Sequence, residues 1–270
     1  MATPNAIGKA LESDKNQLTK ADRLETLLGR VDVRKRFEDI LGAKAPGFVS
    51  SIISAVKGND ALKVCDPMSI ISSAAVAATL DLPINSNLGF AHIVPYSGVA
   101  QFQMGWKGFV QLAIRTGQYK TMNASEIYAD ELEFWNPIKG ELKLTPLETW
   151  KERDSGEGKI IGYASFFQTI NGFEKYLYMT VGKVDRHAKK YSKSYQRGSG
   201  QWVKDFESMA MKTVLKLLLS KYGLLSIEMQ KALRADQAVI DTEGEVKEYP
   251  DAIDAEIATT TIETNDDAAK

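Results

Sequence analysis

Cysteine is almost missing from this chain. Cys65 stands alone among 270 residues, so no internal disulfide can close, and no Cys or His lies near it at zinc-ligand spacing. A passive, buried thiol in a reducing compartment is the expectation. Histidine is nearly as scarce: His92 and His187 fall in separate segments, neither with a helical partner four residues on, which points to packing or surface roles rather than metal ligation or general-base chemistry. Long apolar runs are absent too. "VLKLLL" is short and broken by lysine, and the N-terminal "MATPNAIGKALESDKNQ" has no apolar core of a signal peptide. The chain therefore reads as cytoplasmic and not membrane-bound. Gly42 and Gly47 have the spacing of a phosphate-binding loop, but Phe48 and Val49 stand where Lys and Ser/Thr are needed. No nucleotide, metal or other cofactor is expected.

An excess of either charge is missing from the total, which is −1, but the total conceals a segregation. From Asp236 to Lys270 there are eleven acids and two lysines, 2 − 11 = −9, so residues 1–235 carry −1 + 9 = +8. Between Lys183 and Tyr222, ten Lys/Arg face three Asp/Glu. A basic body with an acidic appendage favours a polyanionic partner over a merely solvated face.

Three regions are expected: a helical N-terminal segment (1–65), a core (66–235) and an acidic, disordered tail (236–270). In the first, Leu24, Leu27, Leu28 and Val31 recur at helical spacing, and Pro46 and Gly58 bracket "PGFVSSIISAVKG". Asp66-Pro67 starts a helix that is apolar or small nearly all round, hence buried. "LGFAHIVPYSGVAQFQM" reads as a hairpin, and "KTMNASEIYADELEFW", "KIIGYASFFQTI" and "FEKYLYMTV" read as strands, the last two joined by the strong turn signal Asn171-Gly172. The fold class expected is α+β, an antiparallel sheet and β-hairpin packed with helices.

Two helices share one design. "QWVKDFESMAMKTVLKLLLSKYG" is apolar over more than half its circumference and confines Asp205, Ser208, Lys212 and Lys216 to a narrow strip. "WKGFVQLAIRTGQY" likewise places Lys107, Gln111 and Arg115 at i, i+4 and i+8. With the basic loop "GKVDRHAKKYSKSYQRGSG" between the sheet and the longer helix, they suggest a lined groove that neutralises phosphates without reading base sequence. Phe102, Trp106, Tyr191, Tyr195 and Trp202 are candidates for base stacking, although Trp106 and Trp202 suit helix anchoring better.

At this point the residues carry a resemblance. "LPINSNLGFAHIVPYSGVAQFQMGWKGFVQLAIRTGQYKTMNASEIYADE" and "WVKDFESMAMKTVLKLLLSKYG" resemble the two signature blocks of the RecT/Redβ family of phage single-strand annealing proteins, in its RecT branch, over the stretch from Leu18 to Leu233. The resemblance implies ATP-independent coating and annealing of single-stranded DNA in recombination. It also implies a ring or helical filament, a core related to the Rad-type strand-annealing fold, and work beside a phage exonuclease and a host single-strand-binding protein. Single-stranded DNA and the annealed duplex intermediate are the expected ligands. The phosphate-binding set expected is Lys107, Arg115, Lys204, Lys212 and Lys216, assisted by Gln103 and Gln111, with Arg186, Lys189, Lys190, Lys193 and Arg197 as a second basic wall. No residue is assigned a catalytic role. Two rivals remain open on the sequence: a metal-dependent nuclease built on Asp130, Glu131 and Glu133, and a structural protein that assembles without DNA.

Overall fold

The computed structural model describes residues 19–85, 87–155, 158–224 and 226–249. The chain opens with helices α1 (Lys20–Gly29), α2 (Val31–Leu41), α3 (Ala45–Lys57) and the short α4 (Asp60–Lys63). Thr19 and Asp22 form a reciprocal capping box at the start of α1, each bonding the other's backbone N–H. Leu24 and Leu28 are buried, as their spacing predicts, but Val31 is 83% exposed. The reason is local: Arg30 is extended (ψ 142), so the helical phase restarts at Val31.

Helix α5 (Pro67–Thr79) is capped by Asp66, whose carboxylate accepts from Ser69 N at 2.9 Å. It is buried nearly all round, and its serines are satisfied by the neighbouring strand. Ser69 Oγ accepts from Ala100 N at 2.8 Å, and Ser73 Oγ donates to Ala100 O at 3.3 Å. That strand is β2 (Val99–Met104), paired antiparallel with β1 (Ala91–Tyr96) through a turn in which Ser97 and Gly98 both take positive φ. Period-two alternation sends Ala91, Ile93, Ala100, Phe102 and Met104 to the core, and puts His92 opposite Gln103 on the other face.

After α6 (Trp106–Arg115), strand β3 (Tyr119–Tyr128) leads to the hairpin β4 (Leu132–Asn136) and β5 (Glu141–Leu144), the short α7 (Glu152–Ser155), then β6 (Ile160–Thr169) and β7 (Glu174–Thr180). The three-stranded antiparallel sheet has the order β3-β6-β7. Its tight turn is closed by Asn171, whose side chain accepts from Phe173 N at 3.1 Å, with Gly172 at φ 87. Helices α8 (Val181–Tyr191), α9 (Lys193–Gln196), α10 (Gln201–Lys204), α11 (Phe206–Tyr222) and α12 (Ile227–Ala235) follow, and α11 packs across the sheet. Ser165 Oγ on β6 donates to Val214 O on α11 at 2.8 Å. Leu24, Phe37, Phe102, Phe109, Phe167 and Leu215 belong to one continuous core, so no gap in packing separates the N-terminal helices from the rest.

Two expectations need correction. The helix read from Gln201 to Gly223 is broken at Asp205, which leaves helical geometry and caps α11 by accepting from Ser208 N at 3.1 Å. The acidic region does not leave the fold at residue 236. Asp236, Ala238, Val239 and Ile240 are buried. Phe102 N donates to Ala238 O at 3.0 Å and Gln237 N to Phe102 O at 2.8 Å, so this segment covers the free edge of β2. A two-stranded ribbon, β8 (Val239–Ile240) with β9 (Val246–Glu248), completes it. The rest of the expected disordered tail lies outside the described residues.

Candidate nucleic-acid interface

Helix α8 is amphipathic: Val184 and Ala188 are buried, and Lys183, Arg186, Lys189 and Lys190 are exposed. Lys189 pairs with Asp185 one turn back at 2.8 Å, and Tyr195 Oη donates to the same carboxylate at 2.8 Å, fixing α9 on α8. Arg186, Lys190, Arg197 and Lys204 are all exposed and make no salt bridge among the described residues. Lys190 lies 5.1 Å from the centroid of the Tyr191 ring, and Tyr191 packs on His187. Lys193 is half-buried. The residues expected to form a second basic wall thus lie on α8, on α9 and just after it, with Lys189 held by Asp185.

The lysine strip of α11 is more deeply placed than its pattern implied. Lys212 is 5% exposed, and its Nζ donates to Asp236 Oδ1 at 2.8 Å. Lys216 Nζ donates to Asp236 Oδ2 at 2.8 Å, and Met104 N donates to Oδ1 at 2.9 Å. Burial would raise the Asp236 carboxyl, but the two ammonium groups outweigh it and hold its pKa at about 2. Burial pushes the Lys212 ammonium down, against the pull of Asp236. Lys212 therefore does not face an open groove. An apolar interior admits two like charges only with an acid between them, and the fold delivers one from beyond α12.

Two histidines flank this triad. Burial lowers the pKa of His92, and the nearby charge of Lys212 lowers it further. Burial, then Lys216 and Lys190, bring His187 to about 4. Lys216 of α11 and Lys190 of α8 therefore both act on one imidazole. Gln103 is buried, and its Nε2 reaches Met209 Sδ at 3.5 Å. Gln101 is buried beside it.

Helix α6 presents Lys107 to solvent, with its stem over Gly89, and leaves Gln111 half-buried. Arg115 stays partly exposed, but its guanidinium is committed to the protein's own backbone. Its Nη1 donates to Leu80 O at 2.6 Å and its Nη2 to Asp81 O at 2.7 Å, satisfying carbonyls at the end of α5. Among the stacking candidates, Phe102 is fully buried, while Trp202 packs with Tyr195 and Phe206 and anchors α10. Tyr191 is exposed.

The nuclease alternative loses its ligands. Glu131 is fully shielded and gripped by Arg153 through Nε at 2.7 Å and Nη2 at 3.0 Å. Asp130 Oδ2 accepts from Lys151 N and Glu152 N, and Glu133 pairs with Lys143 at 2.7 Å. Carboxylates committed to a guanidinium, backbone amides and an ammonium cannot converge on an ion. Among the described residues, no group of acids, His or Cys has the arrangement of a metal site. The residue that the sequence reading missed is Asp236. Its only signal was indirect, namely two lysines on a helix too apolar to face water.

Comparison with known proteins gives the following. Residues 46–251 match the model of the RecT family. The chain is 47% identical over 236 residues to the uncharacterized protein YqaK of Bacillus subtilis (strain 168), covering 86% of this chain and 80% of that one. It is 28% identical over 186 residues to Protein RecT of Escherichia coli (strain K12), covering 66% of this chain and 65% of that one.

Proposed function

Since the chain belongs to the RecT family, whose members anneal single-stranded DNA in recombination, we propose that it binds one DNA strand along the basic surface of α6, α8 to α10 and the exposed flank of α11, and pairs that strand with its complement without a nucleotide. The carrying observation is the family match across residues 46–251, which contains every element of that surface.

Lys107, Arg186, Lys190, Arg197 and Lys204 are exposed and, in this reading, neutralise phosphates, while the exposed Tyr191 stacks a base. Gln111 adds neutral hydrogen bonds from the same face of α6. Chemistry is base pairing: annealing is downhill once strand self-structure and charge repulsion are removed, so no hydrolysis has to drive it. The absence of a usable phosphate-binding loop in the sequence agrees with this. The setting is the cytoplasm of a bacterial cell and the substrate is phage DNA. The working form is a ring or helical filament, with a phage exonuclease supplying single strands and a host single-strand-binding protein as a further partner.

The test is annealing of two complementary fluorescent oligonucleotides with no nucleotide and no divalent metal, alongside binding of labelled oligo-dT across a salt series. Annealing well above the spontaneous rate is expected, with affinity falling by a log-log slope of about −0.7 per phosphate contacted. The double variant Arg186→Ala/Lys190→Ala should make that slope shallower by about 1.4. An affinity that does not change with salt would remove the groove.

A further inference from the structure

Helix α11 presents two like charges four residues apart, a placement that repels, and one carboxylate answers both. Asp236 accepts Lys212 Nζ and Lys216 Nζ at 2.8 Å each and Met104 N at 2.9 Å. Two ammonium groups and a backbone N–H converging on one compact oxyanion form the kind of donor set that holds a phosphate. The balance is uneven, two cations to one anion, and the two cations differ in access. The Lys212 side chain is sealed, while that of Lys216 is 30% exposed. The acid is the C-cap of α12, where its N–H donates to Ala232 O at 3.1 Å; Gln237 follows at φ 69, and two backbone hydrogen bonds join the segment to the edge of β2.

We propose that Asp236 sets the affinity for single-stranded DNA: its carboxylate takes the place of a strand phosphate on Lys216 and keeps that lysine away from the strand. The proposal rests on the DNA-binding reading above. An annealing protein must hold a strand and still let it shift register and leave as duplex. Withholding one strong contact keeps binding in that range, and the fold supplies the competitor within the same molecule, at a high effective concentration.

The experiment uses the full chain and labelled oligo-dT, with circular dichroism to establish that each variant is folded. Asp236→Asn keeps the shape and an acceptor for Met104 N but removes the charge. It should bind several-fold more tightly than wild type at low salt, with a slope steeper by about 0.7, one further phosphate. Adding Lys216→Gln to that variant should abolish the gain, which separates a freed lysine from a general rise in net charge. A folded Asp236→Asn protein with unchanged or weaker binding overturns the proposal and leaves Asp236 a clasp. If that variant does not fold, Lys212→Met/Asp236→Asn, which replaces the buried pair by neutral groups of similar volume, takes its place with the same expected slope. Lys216→Gln alone leaves Lys212 on the sealed Asp236 carboxylate and gives an independent check: its slope should match wild type, and a loss of about 0.7 overturns the proposal. Failure of the wild-type protein to bind oligo-dT would defeat the DNA-binding reading itself.

Discussion

Lys212 and Asp236, 24 residues apart in sequence, meet at 2.8 Å with both side chains sealed from solvent. Removing one member of such a pair costs more than the pair contributes, because the other charge stays buried. Lys212→Ala should therefore lower stability by about 3 kcal/mol, read from urea unfolding midpoints. Lys216→Ala, at a more open position and with Lys212 still on the acid, should cost about 1 kcal/mol. Equal stability of the Lys212 variant and wild type would mean that the ion pair is not formed.

The histidines make stability depend on pH below neutrality. His187 has a folded pKa of about 4 against an ordinary 6.5, so between these values the unfolded chain takes up a proton that the folded chain does not. Its contribution is fully present above pH 6.5 and is lost as pH falls toward 4, by at most about 3 kcal/mol. His92 shifts in the same direction. The carboxyl of Asp236 titrates lower still and does not interfere in this window. Unfolding free energies of wild type and His187→Gln measured from pH 4 to 7 should converge as the pH falls; parallel curves would contradict the burial of this imidazole.

Arg153 is the hub of the β3–β4 corner. Besides Glu131 it donates to Glu126 Oε1 at 3.0 Å and to Glu126 O at 2.8 Å, and its guanidinium lies 5.0 Å from the Tyr128 ring centroid. Arg153→Ala should cost about 3 kcal/mol by stranding the shielded Glu131. Arg153→Lys should recover little, since an ammonium cannot make the forked contact. Neither variant should gain or lose metal-dependent cleavage of DNA, measured with magnesium or manganese.

Gly105 marks a close crossing of two backbones. A Cβ there would sit 1.9 Å from Gly89 O, and the Gly105 amide donates to Phe90 O at 3.0 Å as the chain enters α6. Gly105→Ala must move backbone rather than a flexible side chain, so a loss of stability above about 3 kcal/mol is expected. Thermal unfolding should show it as a large drop in Tm or as a failure to accumulate folded protein. A variant within 1 °C of wild type would show that the loop at Gly89 yields freely.

Sequence by itself determined the local elements, because local physics decides them. Asp66-Pro67 starts α5 wherever α5 is packed, Asn171-Gly172 makes the β6–β7 turn, and alternation in "AHIVPY" and "VAQFQM" sorts core from polar face. It also carried the family, through two signature blocks that lie within the matched residues 46–251. Tertiary structure decided what the charged side chains meet. Lys212 and Arg115 lie on helical strips that look alike in the sequence, yet one ends on a buried carboxylate and the other on the carbonyls that close α5. A helical period states which side chains share a face and nothing about what covers that face. Asp236 sits among acids that look like a solvated tail, and only the chain's return to the edge of β2 turned that residue inward, where a charge must find its counter-charge.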